Sequence, residues 1–201
     1  MKYMSKIYFE KYAQLTLGLT DFGDTFELMD KPDLQDCEHN VGIEVVVVET
    51  TEEGIKRSVW NQNAGQGLTS NEFRNKFQRE DFKQSVIPDC NYMAMDCRCG
   101  EAKALISEML EFISIKNKKL ANYKKFEKNG LYLFNCHMWA EQINELQQAI
   151  FKKNFEFDFY VVNLIDRLYV ITNKEIKAYD ISNEMVHDFK LVALEYEKKN
   201  H

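Results

Sequence analysis

The stretch Val41-Gly-Ile-Glu-Val-Val-Val-Val48 decides how this chain is read. It is rich in β-branched residues and apolar on both faces, the pattern of a strand covered by other layers on each side. One charge interrupts it. On the period-two alternation of a strand, Gly42, Glu44, Val46 and Val48 share a face. An ionised carboxylate on such a face is costly unless it is paired or coordinated. Glu44 therefore has two readings: a carboxylate that is paired or coordinated inside the sheet, or one that sits at a strand end or on a face open to solvent.

Working outward, Ser5 to Leu17 predicts a helix with Ile7, Tyr8, Tyr12 and Leu15 on one face and Gly18 at its end. Residues 21–40 read as irregular, with one short strand over Thr25 to Met29, and carry Lys31-Pro32-Asp33. After the central strand, Thr50-Thr51-Glu52-Glu53 is a capping box for a helix to about Gln62. Ala64-Gly-Gln-Gly67 breaks it, and Ser70 caps a second short helix through Gln78. A long helix is expected from Glu101 to about Phe126, a strand over Leu131 to Phe134, and an amphipathic helix over Met138 to Lys152. Strands over Phe155–Leu164, Arg167–Thr172 and Ile176–Tyr179 follow, and a helix over Glu184–Lys198 closes the chain. This order predicts a layered α/β or α+β domain.

The second misplaced charge is Lys116. The apolar stripe of the long helix runs Ala102, Leu105, Ile106, Met109, Ile113 and on to Leu120, and Lys116 falls inside it. Lys119 and Tyr123 lie three and seven positions beyond on nearly the same face. A lysine pointing inward needs an anionic partner. The alternative is snorkelling, with the aliphatic stem packed and the ammonium in water. Lys118, Lys124, Lys125 and Lys128 crowd the same helix end, where cations also complement the helix dipole. Taken together, a strand carboxylate, an aspartate shortly before it and an inward lysine are the parts of a metal-dependent phosphodiesterase site. Carboxylates suit a hard divalent ion, and a lysine offsets negative charge developing on phosphate.

Composition bounds the alternatives. A chain of 201 residues predicts one domain over 1–201, long enough for a sizeable core. Only 8 Gly and 2 Pro rule out collagen-like and Pro/Gly-rich disordered readings. No apolar run is long enough to span a bilayer, so no membrane is expected. The charged start MKYMSKIYFEKYAQ lacks a signal-peptide apolar region. With five cysteines, an odd number, this predicts a cytoplasmic protein rather than a disulfide framework. The net charge of −6 argues against coating nucleic acid by bulk charge but leaves room for a local basic site.

Pro32-Asp33, ten residues, then Glu44-Val45-Val46 resembles the metal-binding signature of the PD-(D/E)xK nuclease superfamily, the restriction-endonuclease-like fold. Ile115-Lys-Asn-Lys-Lys-Leu-Ala-Asn-Tyr123 followed by Leu131-Tyr-Leu-Phe134 is similar to the next helix and strand of families assigned there. The resemblance covers about residues 5–135 and implies a mixed central sheet flanked by helices, with residues 138–201 as an α/β extension. It implies Asp33 and Glu44 as ligands of a magnesium or manganese ion, helped by the carbonyl of Val45. It makes Glu10 on the first helix a candidate acidic addition. The lysine expected two positions after the strand glutamate is Val46 here, and Lys116 or Lys119 would replace it. The implied activity is phosphodiester hydrolysis of nucleic acid, DNA ahead of RNA. A protein partner or a homodimer is also open, and the other reading of function is an inactive member of the same fold that serves as a protein-binding or regulatory module.

Rival signals are weaker. Pro88-Asp89 followed by Asp96-Cys97-Arg98 mimics the motif but lacks an apolar strand and reads as a turn. Cys37-Glu-His39, Cys90 and Cys97-Arg-Cys99 do not match zinc spacing, and idle thiols are expected. Gly65 and Gly67 lack the other residues of a phosphate-binding loop. Cys136 and His137, adjacent on a strand, would point to opposite faces. Trp60 and Trp139 read as core or interface anchors.

Overall fold

A computed structural model describes residues 6–48, 102–134, 138–164 and 167–181, all of which fall in one compact unit. Helix α1 (Lys6–Leu17) precedes three strands, β1 (Glu27–Leu28), β2 (Leu34–Asp36) and β3 (Val41–Val47). Helix α2 (Ala102–Leu120) leads into β4 (Lys128–Phe134). A short 3-10 turn (Ala140–Gln142) runs into α3 (Ile143–Phe151), followed by β5 (Phe159–Asn163), β6 (Arg167–Thr172) and β7 (Ile176–Asp180).

The strands form one seven-stranded mixed sheet in sequence order. β1, β2 and β3 are an antiparallel meander. β4 pairs with β3 and with β5 in parallel, and β6 and β7 return antiparallel. The expected α/β character with a mixed sheet is observed. Within the stretch 138–201, expected as an α/β extension, β5 adds to the sheet directly beside β4.

The central strands sort their side chains to two cores. Val41, Ile43 and Val45 of β3, Tyr132 of β4 and Val161 of β5 pack with Ala13 and Leu17 of α1. Leu131, Leu133, Tyr160 and Val162 face the other way, onto Ile106, Met109 and Ile113 of α2 and Leu146 and Ile150 of α3. The sheet is thus sandwiched, with α1 on one face and α2 and α3 on the other. Glu44, in register with Leu131, stands on the α2 side.

Several sequence expectations shift. β2 lies in a stretch read as irregular, because Leu34-Gln-Asp36 carries polar residues that are buried in the sheet. Helix α2 stops at Leu120 rather than Phe126: the amides of Asn122 and Tyr123 turn back to the carbonyls of Lys119 and Leu120, and Lys124 N–H leaves for Lys31 O at 3.0 Å. The helix expected over Met138–Lys152 begins as the 3-10 turn, with Gln142 Oε1 accepting the Trp139 amide. Trp139 is 58% exposed and is no core residue. The helices expected over 50–62, 70–78 and 184–198, the second Pro-Asp at 88–89, Trp60, Cys136, His137 and the cysteines beyond Cys37 lie outside the described residues. No described helix is long and apolar enough to cross a membrane.

Candidate active site around Glu44

Glu44 is buried in the sheet, 4% exposed, and its charge is answered from α2. Lys116 Nζ donates to Glu44 Oε1 at 2.6 Å, across 72 positions of sequence. The lysine side chain is itself only 18% exposed, so this is a largely desolvated, charge-assisted pair. The stripe position of Lys116 explains it: one turn after Ile113, the helix aims that side chain at the sheet, where Glu44 waits. Snorkelling is therefore not what this lysine does. Tyr123 O–H donates to the same Oε1 at 3.0 Å. It reaches there because the chain turns after Leu120 instead of continuing as helix. Among the described residues, Oε2 takes no protein donor.

Asp33 completes the carboxylate pair. The β2–β3 ladder sets Leu34 opposite Ile43, which places Asp33 at the next position, opposite Glu44. The residue is 1% exposed, and its Oδ2 accepts the Val45 N–H at 2.9 Å, extending the ladder through a carboxylate. Val45 thus enters the site through its backbone while its side chain packs on the α1 face.

The segment carrying Asp33 is held in place by its neighbours. Lys31 takes a positive φ of 58° and is followed by a cis Lys31–Pro32 peptide. Gln35, buried two positions after Asp33 on the same face of β2, donates to Pro32 O at 3.1 Å and accepts from Lys124 Nζ at 3.3 Å. Lys124 also sits 4.7 Å over the Phe126 ring. Phe126 and Pro32 close over Gly42, two positions before Glu44 on the same face. A Cβ there would lie 2.5 Å from the Phe126 ring and 2.7 Å from Pro32. Glycine at 42 is what lets these two loops meet beside the glutamate.

The result is a pocket of about 520 Å³. Asp30, Asp33 and Glu44 give it carboxylates, and Lys31, Lys116 and Lys119 give it ammonium groups. Asn122 and Tyr123 complete the lining. Of the residues singled out from sequence, Asp33, Glu44, Lys116 and Lys119 meet here. Glu10 does not: it is buried on α1 and does not line the pocket. Tyr123, Gln35 and Lys124 are parts the sequence reading did not place. Only the spacing of Tyr123 from Lys116 and Lys119 hinted at its position.

The donor set fits a hard divalent cation in kind. Two carboxylates with water and substrate oxygens are a common magnesium environment. Among the described residues no three His, Cys, Asp or Glu side chains gather as a ready metal cage. His39, one half of the weak Cys37–His39 zinc signal, is spent elsewhere, its Nδ1 lying 2.7 Å from Asp36 Oδ2. No protein family, no characterised protein and no solved structure matches this chain.

Proposed function

We propose that this pocket is a metal-dependent phosphodiesterase site acting on nucleic acid, with DNA ahead of RNA, and that the chain is a restriction-endonuclease-like nuclease. The observation that carries the reading is the meeting of Asp33, Glu44 and Lys116 in one pocket from three separate segments. The mixed sheet flanked by helices agrees with it. Asp33 and Glu44 would hold magnesium or manganese, which when bound supplies an activated water and a Lewis acid at phosphate. Glu44 is prepared for this by Lys116 and Tyr123, which fix Oε1 and leave Oε2 without a protein donor among the described residues. Asp33 is fixed by the Val45 amide. Lys119, exposed at the pocket, adds positive charge toward an incoming phosphate.

One observation favours a second reading, an inactive fold of the same kind used as a binding module: the Glu44 charge is already answered by the Lys116 ammonium. The deciding experiment is a cleavage assay in magnesium and in manganese on plasmid, linear duplex, single-stranded DNA and RNA, with Glu44→Gln purified in parallel. Cleavage by the wild type that the variant loses supports the nuclease. No cleavage by either folded protein, no rise in melting temperature with divalent ions, and a stable complex with a protein partner support the module.

A further inference from the structure

The pocket holds two lysines of one helix, three positions apart, and their surroundings differ. Lys116 is drawn in, and its ammonium rests on a buried carboxylate. Removing it from there would leave Glu44 charged and without its cation, so it is not available to follow a ligand. Lys119, one turn on, is exposed, lines the same pocket and takes no protein acceptor among the described residues. Lys31 lines the pocket from a different segment. Its ammonium lies 3.6 Å from Asp30, with the two side chains 65% and 77% exposed. A pair that wet and that long is weak and readily exchanges its anion. The Lys31 carbonyl accepts the Lys124 amide, which fixes this segment against the loop that follows α2.

We infer that the pocket lysines divide the work: Lys119 and Lys31 bind a backbone phosphate of the nucleic acid from two segments, while Lys116, with Tyr123, positions Glu44 and does not contact substrate. This rests on the nucleic-acid reading given above and assigns the binding part of that site. Charge supports it. Three carboxylates match three lysines in the lining, so a divalent cation at Asp33 and Glu44 turns the pocket net positive. Binding of a phosphate chain should therefore tighten when such a cation is added.

The test is fluorescence anisotropy of a short labelled DNA, single-stranded and duplex, titrated with the full chain in calcium across a range of salt. Cleavage in manganese is measured separately. Lys119→Gln should weaken binding roughly two- to five-fold, as for an exposed ion pair. It should also reduce the salt slope by about one, and Lys119→Arg should restore both. Lys31→Gln should act in the same direction. In the cleavage assay the Lys119→Gln loss should fall on KM, whereas Tyr123→Phe should lower kcat with the salt slope of binding intact. Lys116→Gln should follow Tyr123→Phe, which serves as the milder variant if Lys116→Gln folds poorly. The division is overturned if Lys119→Gln leaves the salt slope unchanged, if Tyr123→Phe lowers it, or if the wild type binds no DNA. Lys119-dependent binding without cleavage would sink the nuclease reading and leave the phosphate clamp standing. Cleavage indifferent to Lys119 would do the reverse.

Discussion

Two carboxylates lie buried in neighbouring strands, Glu44 in β3 and Asp36 in β2, and they are satisfied in opposite ways. Asp36 is answered by its own hairpin. It accepts from the Thr25 hydroxyl, from the His39 amide at 3.0 Å and from the His39 ring. Burial works against its ionisation, yet these donors together hold its carboxyl down at about 2. Glu44 is answered by Lys116 and Tyr123, 72 and 79 positions away. The local carboxylate pins a turn. The remote one draws a helix end and two loops together and leaves a pocket beside it. A buried charge satisfied at long range organises space, and that is why the Glu44 region, not the Asp36 region, carries the functional proposal.

The largest expected effect is at the remote pair. Lys116→Met strands Glu44 as a buried, unpaired charge and should cost about 3 kcal/mol in urea unfolding. Adding Glu44→Leu to it should recover most of that loss, since apolar replacement of both partners is often neutral. A double variant no more stable than Lys116→Met would mean that the pair is not what couples α2 to β3. Next comes Asp33→Ala, which leaves the Val45 N–H without its acceptor inside the sheet and should cost about 2 kcal/mol. If the divalent-ion reading is right, this variant should also lose any rise in melting temperature caused by magnesium or manganese. Tyr123→Phe removes one of two donors to Glu44 while the lysine remains, so about 1 kcal/mol is expected in the same unfolding experiment. A loss equal to that of Lys116→Met would give the tyrosine an equal share in holding the carboxylate.

How much of this was legible differs between the two regions in the same way. Periodicity marked β3 and α2, and the two charges that violated it, Glu44 and Lys116, proved to be partners. Violations of a strong pattern are informative because the cost of burying an unpaired charge leaves few resolutions. Asp33 was legible only through its place in a short motif. Tyr123 was set on the Lys116 face by an expected helix to Phe126, whereas it reaches Glu44 from a turn; the role of Lys124 was hidden, because a 3-10-type turn after Leu120 leaves no hydrophobic signature. β2 was missed because its residues are Leu-Gln-Asp, a strand made by pairing and side-chain hydrogen bonds rather than by apolar content. Gly42 read as one residue of a strand, whereas its reason is the two rings packed over it. Glu10 is the converse case. It was proposed from its type and helix alone, and it lies away from the pocket lining.

The smallest effect tests the local carboxylate through pH. The Asp36 carboxylate raises the His39 imidazole above its ordinary 6.5, by the ring hydrogen bond first and by charge second. A histidine whose pKa is raised on folding contributes stability fully below about 6.5, and that contribution is lost as the pH climbs through the raised value. Asp36, lowered from 3.8 to about 2, contributes above its unfolded value and loses its share as the pH falls toward 2. The pair therefore acts in the window between about 4 and somewhat above 6.5. His39→Gln should lower the melting temperature slightly inside that window and by progressively less above it, because the ring is exposed and the Thr25 and main-chain donors remain on Asp36. High salt should shrink the difference further. A difference that stays flat from acid to alkaline pH would show that the imidazole acts by shape rather than charge. The hairpin would then owe its closure to uncharged contacts, with Thr25 and the His39 amide as the hydrogen bonds that hold Asp36, making Asp36 a purely local cap and widening its contrast with Glu44.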